Sequence, residues 1–258
     1  MDFLKIESYT IDGSYTGITK RFNFLGENFF CNPDNFCKSF SSGYYFWGGT
    51  TGLSNEKLRE KSSLMYQIDS NMKIERGYFC TKYGCGGTMD RFKYYQDKVL
   101  VIPSAFDYNV YQIDSNDSIS IRYKFDFGKF EFDSNKDVDR KLISYNEYVY
   151  SLGHLHETDR FLYFTFQYDK FFYYMLYFKE TGQSYFQTSS ASVIGNDFTF
   201  VPIQAIHKDR LISVVDMYAF LFYLERMSED NRNKWGLNEY KKLDPEDNPV
   251  LIFYTPKN

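Results

Sequence analysis

Alanine is scarce, with four residues in 258. A helical chain would use this strongest of helix formers freely. Its scarcity, set against 25 tyrosines and 27 phenylalanines, points to strands, because aromatic rings suit a pleated, half-buried surface. No run approaches the roughly 18 apolar residues of a membrane helix, so no transmembrane segment is expected. No basic stripe occurs. The 30 Lys and Arg are interspersed with 34 Asp and Glu, for a net charge of −4, which argues against a nucleic-acid partner. Reaction signatures are missing as well: there is no Gly-x-Ser-x-Gly elbow, no His-Glu-x-x-His pair and no P-loop. A serine triad is assembled in space and is not tested by this, but no catalytic residue is assigned. The opening, "MDFLKIESYTIDGSYTG", lacks a basic start and an apolar stretch and reads as no signal peptide. The chain is accordingly either cytoplasmic or without its original leader.

What is there is a repeat. "YQIDSN" occurs at Tyr66–Asn71 and again at Tyr111–Asn116. In each copy an alternating strand ends in Asp-Ser-Asn, whose side chains bond nearby backbone in tight turns, and a second strand resumes. Weaker hairpins turn at Asp12-Gly13 and Thr181-Gly182. Two further strand-like runs precede each of the last three hairpins. The result is a four-stranded antiparallel unit recurring at about 45 residues, the spacing of a β-propeller blade. The expectation is an all-β chain forming a single β-propeller domain over 1–258. Its blades fall at about 27–83, 90–130 and 145–190, between a partial blade at 1–23 and another at 197–258. The two partial blades either combine to close the ring or leave it incomplete. A β-sandwich is the competing architecture; it needs long crossing connections. The only helical stretch, about 217–243, is an insertion in the last unit, with apolar residues at its front and charges behind.

The four cysteines, Cys31, Cys37, Cys80 and Cys85, admit three readings: buried thiols, disulfides of an exported protein, or a zinc site whose pair spacing is wider than usual. "YYFWGGTTG" places Trp47 and Tyr45 beside flexible backbone. Such rings either stack on a sugar or clamp a peptide, or they fill the gap between sheets. In "GHLHE", His154 and His156 alternate onto one strand face with Glu157 and Asp159 near. They are a weak ligand-binding pair or two polar surface residues, with His207 as the only further imidazole. The acidic group Asp133, Asp137 and Asp139 lacks the glycine and glutamate of a calcium loop. The Gly-rich "YGCGG" at Tyr83–Gly87 precedes no helix.

Two segments carry a family resemblance. "LDPEDNPVLIFYTPKN" (Leu243–Asn258) and "VYQIDSNDSISIRYKFDFGKFEF" (Val110–Phe132) together resemble a six-bladed β-propeller family of unknown function from Bacteroides-type gut bacteria. The chain is shorter than that pattern by one to two blades. The resemblance implies an exported, lipoprotein-like protein located in the periplasm or at the cell surface. It implies no reaction and no site residues. The resulting expectation is a non-enzymatic binding or scaffold protein that holds a glycan, peptide or protein partner through blade loops or the central channel, with no cofactor. The alternative is a metal-dependent, lactonase-like hydrolase with calcium or zinc on the ring axis.

Overall fold

The structure, a computed structural model, describes residues 5–9, 14–21, 36–47, 63–70, 74–80, 91–103, 105–133, 146–188, 203–234 and 236–256. Every described sheet is antiparallel. The first is a hairpin of β1 (Lys5–Tyr9) and β2 (Tyr15–Arg21), a two-stranded sheet of its own. Next come β3 (Phe36–Lys38), β4 (Tyr44–Trp47), β5 (Ser63–Ile68) and β6 (Ile74–Cys80), adjacent in chain order. The same up-and-down order recurs in β7 (Phe92–Tyr95), β8 (Lys98–Val101), β9 (Asn109–Ile113) and β10 (Ile119–Lys124). It recurs again in β11 (Tyr150–Glu157), β12 (Phe161–Tyr168), β13 (Phe171–Phe178) and β14 (Ser184–Thr188). The last sheet has three strands: β15 (Ala205–His207), β16 (Arg210–Val215) and β17 (Val250–Tyr254). The described residues thus hold an all-β fold of four antiparallel sheets with three or four strands, plus the hairpin.

The repeated hexamer occupies the same place twice. Tyr66 lies on β5 and Tyr111 on β9, the third strand of their respective sheets. In both copies the isoleucine is fully buried, Ile68 in one and Ile113 in the other. Turn chemistry follows the local residues. Asp169 and Lys170 both adopt left-handed backbone (φ 46° and 68°), which matches the right-handed twist of the long β12–β13 hairpin. Gly182 (φ 70°) closes β13–β14, where its N–H donates to the Phe178 carbonyl at 2.9 Å.

The chain divides into two compact units, one of residues 1–144 and 148–153, the other of 145–147 and 154–258. In the first, two consecutive sheets share a core. Tyr45, Trp47, Leu64 and Met65 from β4 and β5 meet Val99, Val101 and Ile113 from β8 and β9. Aromatic rings fill the space between the sheets, as in the Phe79–Tyr111 contact at 4.7 Å. In the second unit, Phe161, Tyr163, Leu176 and Phe178 pack with Ile203 and Leu211. There too one four-stranded face lies against the next sheet.

The helical insertion follows β16. Helix α1 (Met217–Arg226) begins at Asp216, whose carboxylate accepts the Ala219 N–H at 2.8 Å, a standard N-cap. It buries Met217, Phe220 and Leu224 against Val215, Val250 and Ile252. A short polar helix α2 (Glu229–Lys234) and a 3-10 turn (Asn238–Lys242) return the chain to β17. A second 3-10 turn, Gly128–Phe130, lies within "FDFGKFEF" after β10.

Candidate functional site

A dense polar cluster is built by two turns of the first unit. One is the β9–β10 turn, "IDSNDSIS". Asp114 folds it by accepting the N–H groups of Asn116 (2.9 Å) and Ser118 (3.0 Å). Its main chain bonds both ways, with Asp114 N–H to the Ser118 carbonyl and Asp117 N–H to the Asp114 carbonyl. Asp117 is thereby left at φ 58°, a conformation that aspartate tolerates better than most residues. The other is the β3–β4 turn, "SFSSG", closed by Ser39 N–H to the Gly43 carbonyl at 3.1 Å. Gly43 sits at φ 82°, and a Cβ there would lie 1.9 Å from the Ile68 carbonyl oxygen, so only glycine fits.

The Asp117 carboxylate reaches from the first turn into the second. Its Oδ1 accepts the Phe40 N–H at 3.1 Å and the Tyr45 hydroxyl at 3.0 Å. Its Oδ2 accepts the Ser39 hydroxyl at 2.9 Å, the Ser41 N–H at 2.9 Å and the Ser41 hydroxyl. Five donors exceed the roughly four lone-pair positions a carboxylate offers. Partial burial pushes the Asp117 pKa up, but the bonds from Ser41, the Phe40 N–H and Ser39 outweigh it and hold the group below the ordinary value. Tyr45 is pushed strongly upward, first by burial and then by its bond to the same carboxylate. Beside this cluster the free, buried thiol of Cys37 lies 3.2 Å from the Tyr94 hydroxyl. Burial raises the thiol pKa. Tyr94 is pushed up to about 12 by burial and by its bond to Cys37.

These groups do not make an acid–base centre. Asp117 is held ionised and filled with donors, Tyr45 and Cys37 are held protonated, and no imidazole belongs to the cluster. What the arrangement does is fasten a turn of one sheet to a turn of the next.

Of the residues singled out from sequence, Tyr45 and Trp47 share β4, and His154 and His156 share β11. Tyr45 and Trp47 are core side chains, 0% and 3% exposed. The Arg91 guanidinium lies over the Trp47 ring at 5.2 Å. Both rings thus take the inter-sheet position that the sequence offers as one of their two roles. His154 is half-buried and adopts left-handed backbone (φ 45°), which breaks the two-residue alternation. His156 is buried with its ring 6.1 Å from Tyr163. His207 ends β15 and is exposed. Among the described residues no three His, Cys, Asp or Glu side chains come together as metal ligands. Cys31, Cys85, "YGCGG", Asp137 and Asp139 lie outside the described residues, and Asp133 is exposed. Asp117, Ser39 and Ser41 were not visible as a group from sequence. The available signal is the difference between the two repeats: Asp117 stands where the first copy carries Met72, 45 residues earlier.

Comparison with known proteins places the chain. A family described as a domain of unknown function (DUF4934) matches residues 2–255. The chain belongs to this family. A crystal structure of a Bacteroides fragilis protein named "Putative exported protein" is similar to the DUF4934 chain with a TM-score of 0.69 at 16% identity. The likeness covers 98% of this chain and 72% of that one. At that identity it speaks to fold alone. No curated protein matches.

Proposed function

We propose that this DUF4934 chain is an exported binding protein whose stacked sheets are the blades of a β-propeller. The observation that carries the binding reading is the Asp117 clasp. Its carboxylate, three hydroxyls and two main-chain N–H groups are spent on joining consecutive sheets. Support for the blade arrangement comes from the recurring up-and-down order of strands and from the aromatic-filled core that each unit places between consecutive sheets. Rigid blades of this kind present variable loops and inner strands to a ligand. A glycan, a peptide or a partner protein is the ligand class. Export rests on the likeness to the B. fragilis protein named "Putative exported protein".

The test is a turnover screen of the purified protein against ester, lactone, phosphate and glycoside substrates, combined with elemental analysis for calcium and zinc. The expected result is no turnover above a heat-treated control and no stoichiometric metal. Robust hydrolysis that falls with chelation would overturn the reading in favour of a metal-dependent hydrolase.

A further inference from the structure

The three strands β12, β13 and β14 read "FLYFTFQY", "FFYYMLYF" and "SYFQT". Not one of their side chains is charged. One sheet face carries the consequence. Register places Tyr168 beside Phe171, Phe166 beside Tyr173 and Met175 beside Phe186, and alternation puts all six on the same side. Tyr173 stacks on Phe166 at 4.9 Å with the ring planes 4° apart. Tyr168 and Phe186 flank Tyr173, each at 6.3 Å. The platform begins in the core and ends in solvent: Phe166 is 7% exposed, Phe171 41% and Phe186 66%. The opposite face of the same strands packs into the core of its own unit through Phe161, Tyr163, Leu176 and Phe178, and leaves Phe172 and Tyr185 exposed.

Two quantities decide what covers the open end. The first is area. At roughly 200 Å² per aromatic side chain, Phe171 and Phe186 leave about 200 Å² of ring in water, about a quarter of the ~800 Å² each partner buries in a stable protein interface. A second copy of the chain or a folded partner therefore finds too little surface here. The second is charge. The polar groups that register places on this face are the hydroxyls of Tyr168, Tyr173, Tyr177, Ser184 and Thr188, all neutral, and charge enters at the turns, with Asp169-Lys170 at one end and Lys179-Glu180 at the other. Flat apolar rings edged by neutral hydroxyls match a ligand with C–H faces and many hydroxyl groups. We infer that the aromatic platform of β12–β14 is a binding surface for a neutral glycan. This rests on the binding reading above and gives that reading a ligand class and a location.

Affinity electrophoresis tests it. The full chain is run through native gels holding a soluble β-glucan, a galactomannan or a dextran, with anionic polygalacturonate for comparison. The expected result is retardation by at least one neutral polymer and none by polygalacturonate. Phe186→Ala and Phe171→Ala each weaken the retardation by about tenfold, the worth of one stacked ring, and Phe186→Trp restores it. Both positions are solvent-facing, so circular dichroism of the variants is expected to match the parent. Retardation that survives both alanine changes would remove the platform and leave the binding reading standing. Absence of retardation in every neutral gel, or retardation by polygalacturonate alone, overturns the glycan assignment. A dimer in light scattering that Phe186→Ala converts to a monomer overturns it in favour of self-association. The binding reading itself falls only to turnover in the hydrolase screen.

Discussion

A single carboxylate joins two turns that are 76 to 78 residues apart in sequence. Asp117 accepts bonds from Ser39, Phe40, Ser41 and Tyr45, and its removal strands all of these donors. Hydrogen bonds to a charged group are worth about 1.5–3 kcal/mol in favourable settings, and the partial exposure of Asp117 screens them. Asp117→Ala is therefore expected to cost about 1–2 kcal/mol, read as a lowered urea midpoint with an unchanged slope. The pH dependence has a definite sign. The folded-state pKa is depressed, so the contribution is fully present above the unfolded aspartate value near ~3.9 and is lost as pH falls through the lower folded value. The parent should lose stability in that acid window, whereas Asp117→Ala should lose less of it there. An equal loss in both proteins removes the clasp as a source of acid sensitivity. Sequence alone gave no access to this carboxylate, for a physical reason. Asp117 reads as one more turn residue, and its partners are fixed by how two sheets stack, which local propensity does not encode. Tyr45 and Trp47 were legible as important aromatics, but their burial depends on the neighbouring sheet as well.

Strands are the scale at which the sequence speaks most clearly. The alternation around each "YQIDSN", the Thr181-Gly182 turn and the apolar front of the 217–226 helix all describe local geometry, and the structure realises each of them. The reading fails where backbone departs from regular pleat. β11 carries left-handed residues at Ser151 and His154 (φ 58° and 45°), so His154 and His156 do not follow the simple two-residue rule. The same strand ends at Glu157, whose side chain is fully buried and whose Oε1 accepts from Lys179 Nζ at 2.6 Å. Lys179 also donates to the Thr158 carbonyl at 2.6 Å. The pair ties the end of β11 to the residue that follows β13. A buried pair adds little over apolar packing, but breaking it leaves one charge stranded. Lys179→Met is expected to cost about 3 kcal/mol, and adding Glu157→Gln to it should restore part of that loss. A double-mutant cycle in urea measures the coupling, and additive costs would show that the two side chains act independently. At the helix, Asp216→Ala removes the N-cap and should cost about 1 kcal/mol.

Among the described residues, the fourth strand of each four-stranded sheet is more exposed than the second. β5 and β12 are buried along nearly their full length. The fourth strands are not: β10 exposes Ile121 at 56%, and β14 exposes Tyr185 and Phe186. A blade in a propeller has this profile, because its early strands are clamped between neighbouring blades and its last strand faces outward. A two-layer sandwich would instead bury one face of every strand and expose the other. Native-state hydrogen exchange separates these cases, since amides open with free energies that track local burial. The slowest amides are expected in β5, β8 and β12. Those of β10 and β14 should exchange with an opening free energy lower by on the order of 2 kcal/mol. The grading should repeat in both compact units, because the same strand order and the same aromatic infill occur in each. If β10 and β14 are protected as strongly as β8 and β12, their outer edges are covered, and the stacked-blade arrangement gives way to one in which every strand has a neighbour on both sides.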